Sequence, residues 1–98
     1  MNHYVYLIEK KPALETEQKY YIGVRSCECL IADDDYMGSS KYLTEEVNKS
    51  GKQSFNKIIL KRFDSREDAY EYEIHMHKEF DVVNNPIFFN FSMYSLFM

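Results

Sequence analysis

Two stretches decide the fold of this sequence: Tyr-Val-Tyr at residues 4–6 and Tyr-Tyr-Ile-Gly-Val-Arg-Ser at residues 20–26. Both alternate with a period of two when they are read as strands, so every second side chain lies on the same face of a sheet. A hairpin of these strands collects on one face the residues Tyr4, Tyr6, Ile8, Tyr21, Gly23 and Arg25. Phenols, a guanidinium and a residue without a side chain are unusual for a core and are compatible with a ligand site. On these residues alone, a normally packed tyrosine-rich hairpin is an equal alternative.

A long helix is predicted over residues 65–80, because Ser65 and Asp68 form a capping box and neither Gly nor Pro interrupts the segment. Its apolar residues recur at helical spacing and form a stripe that is expected to face the core. The members of this stripe are Ala69, Tyr72, Met76 and Phe80.

Glu73 lies on the same apolar stripe, whereas Glu71 shares a polar face with His75 and Lys78. A carboxylate directed at a core must be paired, protonated or bound to a cation, since an isolated buried charge is costly. We interpret Glu73 as a participant in metal or phosphate chemistry. A glutamate at the edge of the stripe, or one paired with an arginine, is the alternative.

These residues give the sequence a resemblance to the GIY-YIG nuclease domain. Residues 4–6 stand in place of the first motif, and residues 21–23 match the second in full. The similarity continues through residues 36–41, 49–51 and 55–60, Glu73 and Asn90, and so covers nearly all of the 98 residues. Two departures are Tyr4, where the family usually has Gly, and Arg25, which follows the second motif sooner than the arginine of many members.

The resemblance implies a fold and an activity. The fold is α/β of the α+β type: a small three-stranded, mainly antiparallel sheet flanked by helices, formed by residues 1–98 as a single domain. The activity is that of a hydrolase, a metal-dependent DNA endonuclease similar to small phage or mobile-element members related to homing endonucleases. The runner-up function is a non-cleaving nucleic-acid-binding domain, or an inhibitor-like protein-interaction domain, of nuclease ancestry.

The resemblance also implies residue roles. Glu73 is the metal ligand for Mg²⁺ or Mn²⁺, Arg25 clamps the phosphate, and Tyr6 and Tyr21 position or deprotonate the attacking water. Which tyrosine is the base stays open. Supporting roles fall to Gly23, to Lys41 as a second phosphate contact, and to Asn90, which ties the tail to the site.

Composition fits one compact domain with 45% hydrophobic residues. We expect a cytoplasmic protein, because the sequence shows no leader and no apolar run of membrane-spanning length. The net charge of −4 predicts weak, salt-sensitive DNA binding through local groups of lysines and arginines, including Lys10 and Lys52. Cys27 and Cys29 are too close in sequence to form a disulfide scaffold.

The elements are predicted as strands over residues 3–9, 19–25 and 55–63, with a helix from about Ser40 to Ser50 before the third strand. Apolar residues of both parities in residues 55–63 suggest a central strand covered on both faces. The acidic residues 33–35 are interpreted mainly as a solvated loop. A zinc site formed by Cys27, Cys29, His75 and His77 is disfavoured, because the two histidines point in different directions on a helix.

Residues 87–98 are unusually apolar. Packing of this segment on its own domain is slightly favoured over a homodimer or protein-partner interface.

Overall fold

The computed structural model describes residues 1–11, 13, 17–38, 41–82 and 84–89. The described residues form a single antiparallel sheet in the order β2-β1-β3, with two helices, which confirms the predicted fold class. Short 3₁₀ turns lie at Ile31–Asp33 and Lys52–Ser54. The elements are β1 (Asn2–Lys10), β2 (Tyr20–Cys27), α1 (Lys41–Ser50), β3 (Phe55–Phe63) and α2 (Arg66–Phe80).

The central strand is β1, and the prediction that residues 55–63 form a central strand is wrong. The register places Tyr6 opposite Ile59 but Val5 opposite Lys61, so β3 carries one extra residue at this point. After such a bulge, the odd-numbered residues of the strand face the side of the sheet that the even-numbered residues faced before it. Phe63 therefore lies on the opposite face from Ile59, and this change of face, not central burial, explains the mixed parity of the apolar residues.

The sheet is covered on both sides, and its two faces carry different side chains. The tyrosine face, defined by Tyr4, Tyr6, Ile8 and Tyr21, packs against Leu43 of α1 and against Ile31. The opposite side, which we call the α2 face, is apolar in the ordinary way, and Ala69 of α2 belongs to its core. Its strand residues are Val5, Ile22 and Val24.

The outer edge of β2 is the side that faces away from β1. Lys10 N donates to Lys19 O at 2.8 Å, whereas Phe89 N donates to Tyr20 O at 2.7 Å. Alternate residues of a strand direct their backbone groups to opposite sides. The carbonyl of Ile22 therefore points to the outer edge, like that of Tyr20. The predictions for the apolar tail concern mainly residues 90–98, which lie outside the described residues.

Capping explains the bounds of α2. The Ser65 side chain accepts a hydrogen bond from Asp68 N at 3.2 Å, as the capping box predicts. The helix ends before Asp81, whose φ of 49° is left-handed. Among the described residues, no helix is both long and apolar enough to cross a membrane.

Gly23 provides a test of how tightly the tyrosine face is packed. A Cβ at this position would lie 2.5 Å from Tyr6 Cζ and 2.9 Å from Tyr21 Cε1. Gly23→Ala must displace buried rings, so we expect it to lower the free energy of unfolding by about 1–3 kcal/mol in denaturant titrations. In a Tyr6→Leu background the cost should fall, because the nearest ring is gone. An equal cost in both backgrounds would contradict this packing.

Candidate active site

The predicted strand faces are confirmed by the register of β1 and β2. Tyr4 lies opposite Arg25, and Tyr6 lies opposite Gly23. The ring centroids of Tyr4 and Tyr6 are 5.8 Å apart, and those of Tyr6 and Tyr21 are 6.2 Å apart. The hairpin thus brings three of the proposed catalytic residues, Tyr6, Tyr21 and Arg25, to one face.

A segment with no helix or strand, residues 34–38, covers this face. The ring of Tyr36 meets that of Tyr6 edge-on, with centroids 6.4 Å apart. Gly38 adopts a φ of +101°, and a Cβ at this position would lie 2.6 Å from Tyr21 Cε1. Because Gly38 packs so closely, both Tyr6 and Tyr21 are only 1% exposed.

Asp34 is the polar centre of the tyrosine face. Its Oδ2 accepts hydrogen bonds from Arg25 Nε at 3.1 Å and from the Tyr4 hydroxyl. Lys57 Nζ donates to the Tyr4 hydroxyl oxygen at 2.6 Å and lies 3.9 Å from Asp34 Oδ2. The guanidinium of Arg25 also lies 4.2 Å above the ring of Tyr36. All three strands therefore contribute a donor to this network.

The interpretation of residues 33–35 as a solvated loop is wrong for Asp34, whose side chain is 5% exposed. Nothing in the sequence separates it from Asp33 and Asp35. Lys57 was also missed as a site residue, although a signal existed: it shares its parity with Phe55 and Ile59, so it had to lie on a covered face.

Electrostatics keep the tyrosines protonated. Burial, the Asp34 hydrogen bond and the Asp34 charge raise the pKa of Tyr4. The pKa of Tyr6 is raised well above its usual value, first by burial and then by neighbouring tyrosines and Glu73. Burial lowers the pKa of Lys57, although the Asp34 charge opposes this effect. At neutral pH, Tyr4 and Tyr6 are therefore hydroxyl groups that can donate hydrogen bonds.

Glu73 is contributed by α2 and not by a strand of the sheet. It is fully buried together with Ala69 and His77 on the side of α2 that faces the sheet, whereas Glu71 is exposed, as the helix phase predicted. Glu73 is near enough to the tyrosine face for its charge to contribute to the raised pKa of Tyr6. Its Oε2 is 3.8 Å from His77 Nε2.

His77 locates Glu73 within the sheet. His77 Nε2 lies 3.3 Å from Ile22 O, a carbonyl of the outer edge of β2. The Glu73 carboxylate therefore lies beside this edge, close enough to contribute to the raised pKa of Tyr6. Burial lowers the pKa of His77, although its hydrogen bond with the Ile22 carbonyl opposes this. A neutral His77 donates from Nε2 and does not neutralise Glu73.

The supporting residues are less informative. Gly23 packs against the ring of Tyr6, Lys41 is exposed at the first residue of α1, and Asn90 lies outside the described residues. The disfavoured zinc site is not assembled, because Cys27 and Cys29 form a local disulfide.

The basic groups expected to attract DNA are partly neutralised. Lys10 Nζ lies 2.7 Å from a carboxylate oxygen of Glu17 and 2.6 Å from one of Glu46. Lys52 Nζ lies 3.4 Å from a carboxylate oxygen of Asp35. Lys10 therefore acts mainly as an anchor between the loop after β1 and α1, which leaves less positive charge for DNA than the sequence suggested.

Known relatives come from Enterobacteria phage T4. The chain is 39% identical over 93 residues, 95% of its length, to the protein named "Putative endonuclease segB". It is 42% identical over 55 residues to "Putative endonuclease segE" and 37% identical over 70 residues to "Putative endonuclease segC". It spans 39%, 26% and 32% of these relatives' lengths, respectively. No protein-family model matches the chain, and no solved structure matches it.

Asp34 gives a prediction for acid stability. Burial alone would raise its pKa, but hydrogen bonds from Tyr4 and Arg25 outweigh burial, so the folded pKa lies below 3.8. Its stabilisation is therefore complete above pH 3.8 and is lost as the pH falls through the folded pKa. We expect Asp34→Asn to cost about 2 kcal/mol at pH 7 in chemical unfolding.

The cost of Asp34→Asn should shrink as the pH falls below 3.8. The matched control is Asp33→Asn, which removes an exposed carboxylate and should change stability little. A cost that stays constant between neutral pH and acid would contradict the network.

Proposed function

We propose that this chain is the nuclease part of a metal-dependent DNA endonuclease of the GIY-YIG type, which hydrolyses phosphodiester bonds. The observation that carries the proposal is the convergence of Tyr6, Tyr21 and Arg25 on one face of the sheet. The similarity to proteins named as phage endonucleases supports it, and because the chain spans less than half of their length, the whole protein's substrate is part of the proposal.

Arg25 is suited to hold a phosphate. Hydrolysis requires neutralisation of charge on the phosphoryl oxygens, and a guanidinium supplies several fixed donors for this purpose. Stacking on Tyr36 fixes the plane of the Arg25 side chain, and 32% of that side chain is exposed. A phosphate can therefore approach it from solvent.

The tyrosines are suited to orient water. Tyr6 and Tyr21 lie side by side, so their hydroxyl groups can hydrogen-bond one attacking water once the face is open. Because the pKa of Tyr6 is well above its usual value, Tyr6 is a neutral phenol. It can act as a base only after nearby positive charge lowers that pKa and its own proton is lost to solvent.

Glu73 is the proposed carboxylate for Mg²⁺ or Mn²⁺. An oxygen donor beside a neutral histidine fits a hard cation that retains several waters. The Glu73 side chain is fully buried, so there is no room beside it for the waters of a hydrated cation. Metal binding therefore requires neighbouring groups at the outer edge of β2, such as His77, to move. A cation bound here would supply charge neutralisation and an acidified water.

Supporting roles complete the proposal. Because Gly23 has no side chain, the ring of Tyr6 can pack directly against β2. The exposed Lys41 would contact a neighbouring phosphate. Asn90 is assigned to the site by its position in the sequence alone.

A non-cleaving nucleic-acid-binding domain is the second candidate. It is favoured by the inaccessibility of the proposed catalytic groups. Tyr6, Tyr21 and Glu73 are almost fully buried, and the Arg25 guanidinium already donates to Asp34. The two candidates differ in a single result, because only the nuclease produces broken DNA strands in the presence of Mg²⁺ or Mn²⁺.

Charge removal on α2 tests the metal ligand. Glu73→Gln keeps the volume and removes the anion, so plasmid cleavage should fall by more than the roughly 10–100-fold that is lost when an outer-shell partner of a metal ligand is removed. Glu71→Gln is the matched control on the exposed side of α2 and should retain activity. Mn²⁺ binding, followed by paramagnetic broadening of amide resonances, should be lost in the Glu73 variant alone. If cleavage or Mn²⁺ binding is lost in the Glu71 variant and kept in the Glu73 variant, Glu73 is not the metal ligand.

We further propose that the domain acts on DNA with a partner, either a second copy or another protein, docked through the apolar residues after Asn90. The charge of −4 gives little long-range attraction to DNA, and an additional contact raises the effective concentration. Sedimentation at micromolar concentration should show association for the intact chain and a monomer for a chain ending at Asn90. Monomers in both cases, with equal plasmid cleavage, would refute this.

A further inference from the structure

We infer that Asp34 is an internal substitute for a substrate phosphate, and that residues 34–38 must leave the tyrosine face before DNA can bind there. This inference rests on the proposed function, because it names what regulates access to the same site. It adds Lys57 and Tyr4 to the groups that would contact the phosphate, and it makes Asp34 the group that the phosphate replaces.

The donors around Asp34 form an anion site. Arg25 Nε lies 3.1 Å from Oδ2, and the Tyr4 hydroxyl donates to the same oxygen. Lys57 Nζ lies 3.9 Å from this oxygen. Lys57 donates instead to the Tyr4 hydroxyl at 2.6 Å and to the backbone carbonyl of Asp34 at 3.1 Å, so its positive charge lies beside the carboxylate without a hydrogen bond to Oδ2. A guanidinium and a hydroxyl that donate to one oxygen, with an ammonium nearby, suit a phosphoryl oxygen as well as a carboxylate. Once Asp34 is withdrawn, these two donors and the adjacent ammonium remain around one position.

Charge makes the exchange feasible. Asp34 carries a single negative charge, and so does a phosphodiester. Replacing one by the other keeps the two cations, Arg25 and Lys57, equally neutralised. Withdrawal of Asp34 without a replacement would leave two partly buried cations close together, which is unfavourable. The site is therefore occupied either by Asp34 or by an anion of the same charge.

A path for the phosphate exists beside Lys57. A cleft of about 390 Å³ lies between the covering segment and β3, and its polar lining consists of Asp34, Asp35, Lys52, Gln53 and Lys57. Asp34 and Asp35 offset the charge of Lys52 and Lys57 in this cleft, so it offers a path to the Asp34 position and no net long-range attraction. The phosphate therefore does not need to pass the buried tyrosine rings.

The covering segment can move without disturbing the sheet. Residues 34–38 contribute no strand pairing. Asp34, Tyr36 and Gly38 lie against side chains of the tyrosine face, and Met37 packs against the same core. The salt bridge of Asp35 with Lys52 is on the surface and contributes little to stability. Displacement of the segment would expose Tyr6 and Tyr21 together, which the proposed hydrolysis requires.

Anion binding without divalent metal tests the inference independently of cleavage. The probe is dimethyl phosphate, a phosphodiester monoanion, followed by the NMR signal of Arg25 Nε–H. Asp34→Asn keeps the shape of the side chain and removes its charge, so we expect binding at least about tenfold tighter than in the natural chain. Asp35→Asn, which removes an exposed neighbouring charge, should change binding less than about twofold.

Each outcome bears on the inference. Equal tightening in both variants would reveal a general charge effect and overturn it, and so would weaker binding to a folded Asp34→Asn variant. If that variant fails to fold, the test is a titration of the natural chain with dimethyl phosphate. NMR shifts of Arg25 and Gly38 that saturate with one dissociation constant support the exchange, and shifts that do not saturate overturn it. Tighter binding by Asp34→Asn without any DNA cleavage would support the inference and count against the proposed function alone.

Discussion

The carboxylate of Asp34 is the group on which the tyrosine face depends. It receives hydrogen bonds from Tyr4 of β1 and Arg25 of β2, and Lys57 of β3 approaches it, so one side chain ties together all three strands. Such a network is stable only when every member is satisfied, because the same charges unpaired in a buried setting would be costly. Asp34 is also the first residue of the covering segment. The same hydrogen bonds therefore hold the tyrosine face together and keep the segment over it.

Glu73 lies on α2, and its surroundings differ from those of Asp34. It is close to His77, whose Nε2 lies within hydrogen-bond distance of the Ile22 carbonyl at the outer edge of β2. Its charge contributes to the raised pKa of Tyr6, so the electrostatics of Glu73 and of the tyrosine face are linked. If Arg25 binds the phosphate and Glu73 binds the metal, as we propose, both groups must become accessible before hydrolysis, because Asp34 is bound to Arg25 and Glu73 is fully buried.

The fold could be predicted largely from local patterns. Alternation in β1 and β2 gave the faces, and the capping box at Ser65 gave the start of α2, since both depend on near neighbours. The order of the strands could not be predicted, because the mixed apolar pattern of β3 imitates that of a central strand. Its cause is a bulge, which depends on the pairing of β3 with β1. Asp34 was missed for a related reason: its three donors come from distant parts of the chain, and no local signal distinguishes it from Asp33.

The most direct measurement is the conversion of supercoiled plasmid to nicked or linear DNA by the purified chain and by an Arg25→Gln variant, each with Mg²⁺ and with a chelator. We expect strand breakage by the natural chain with Mg²⁺ only, and a loss of about 100-fold or more in the variant, as for removal of one donor that stabilises transition-state charge. Breakage that persists in the chelator, or that is equal in the Arg25→Gln variant, would contradict the proposed metal-dependent hydrolysis.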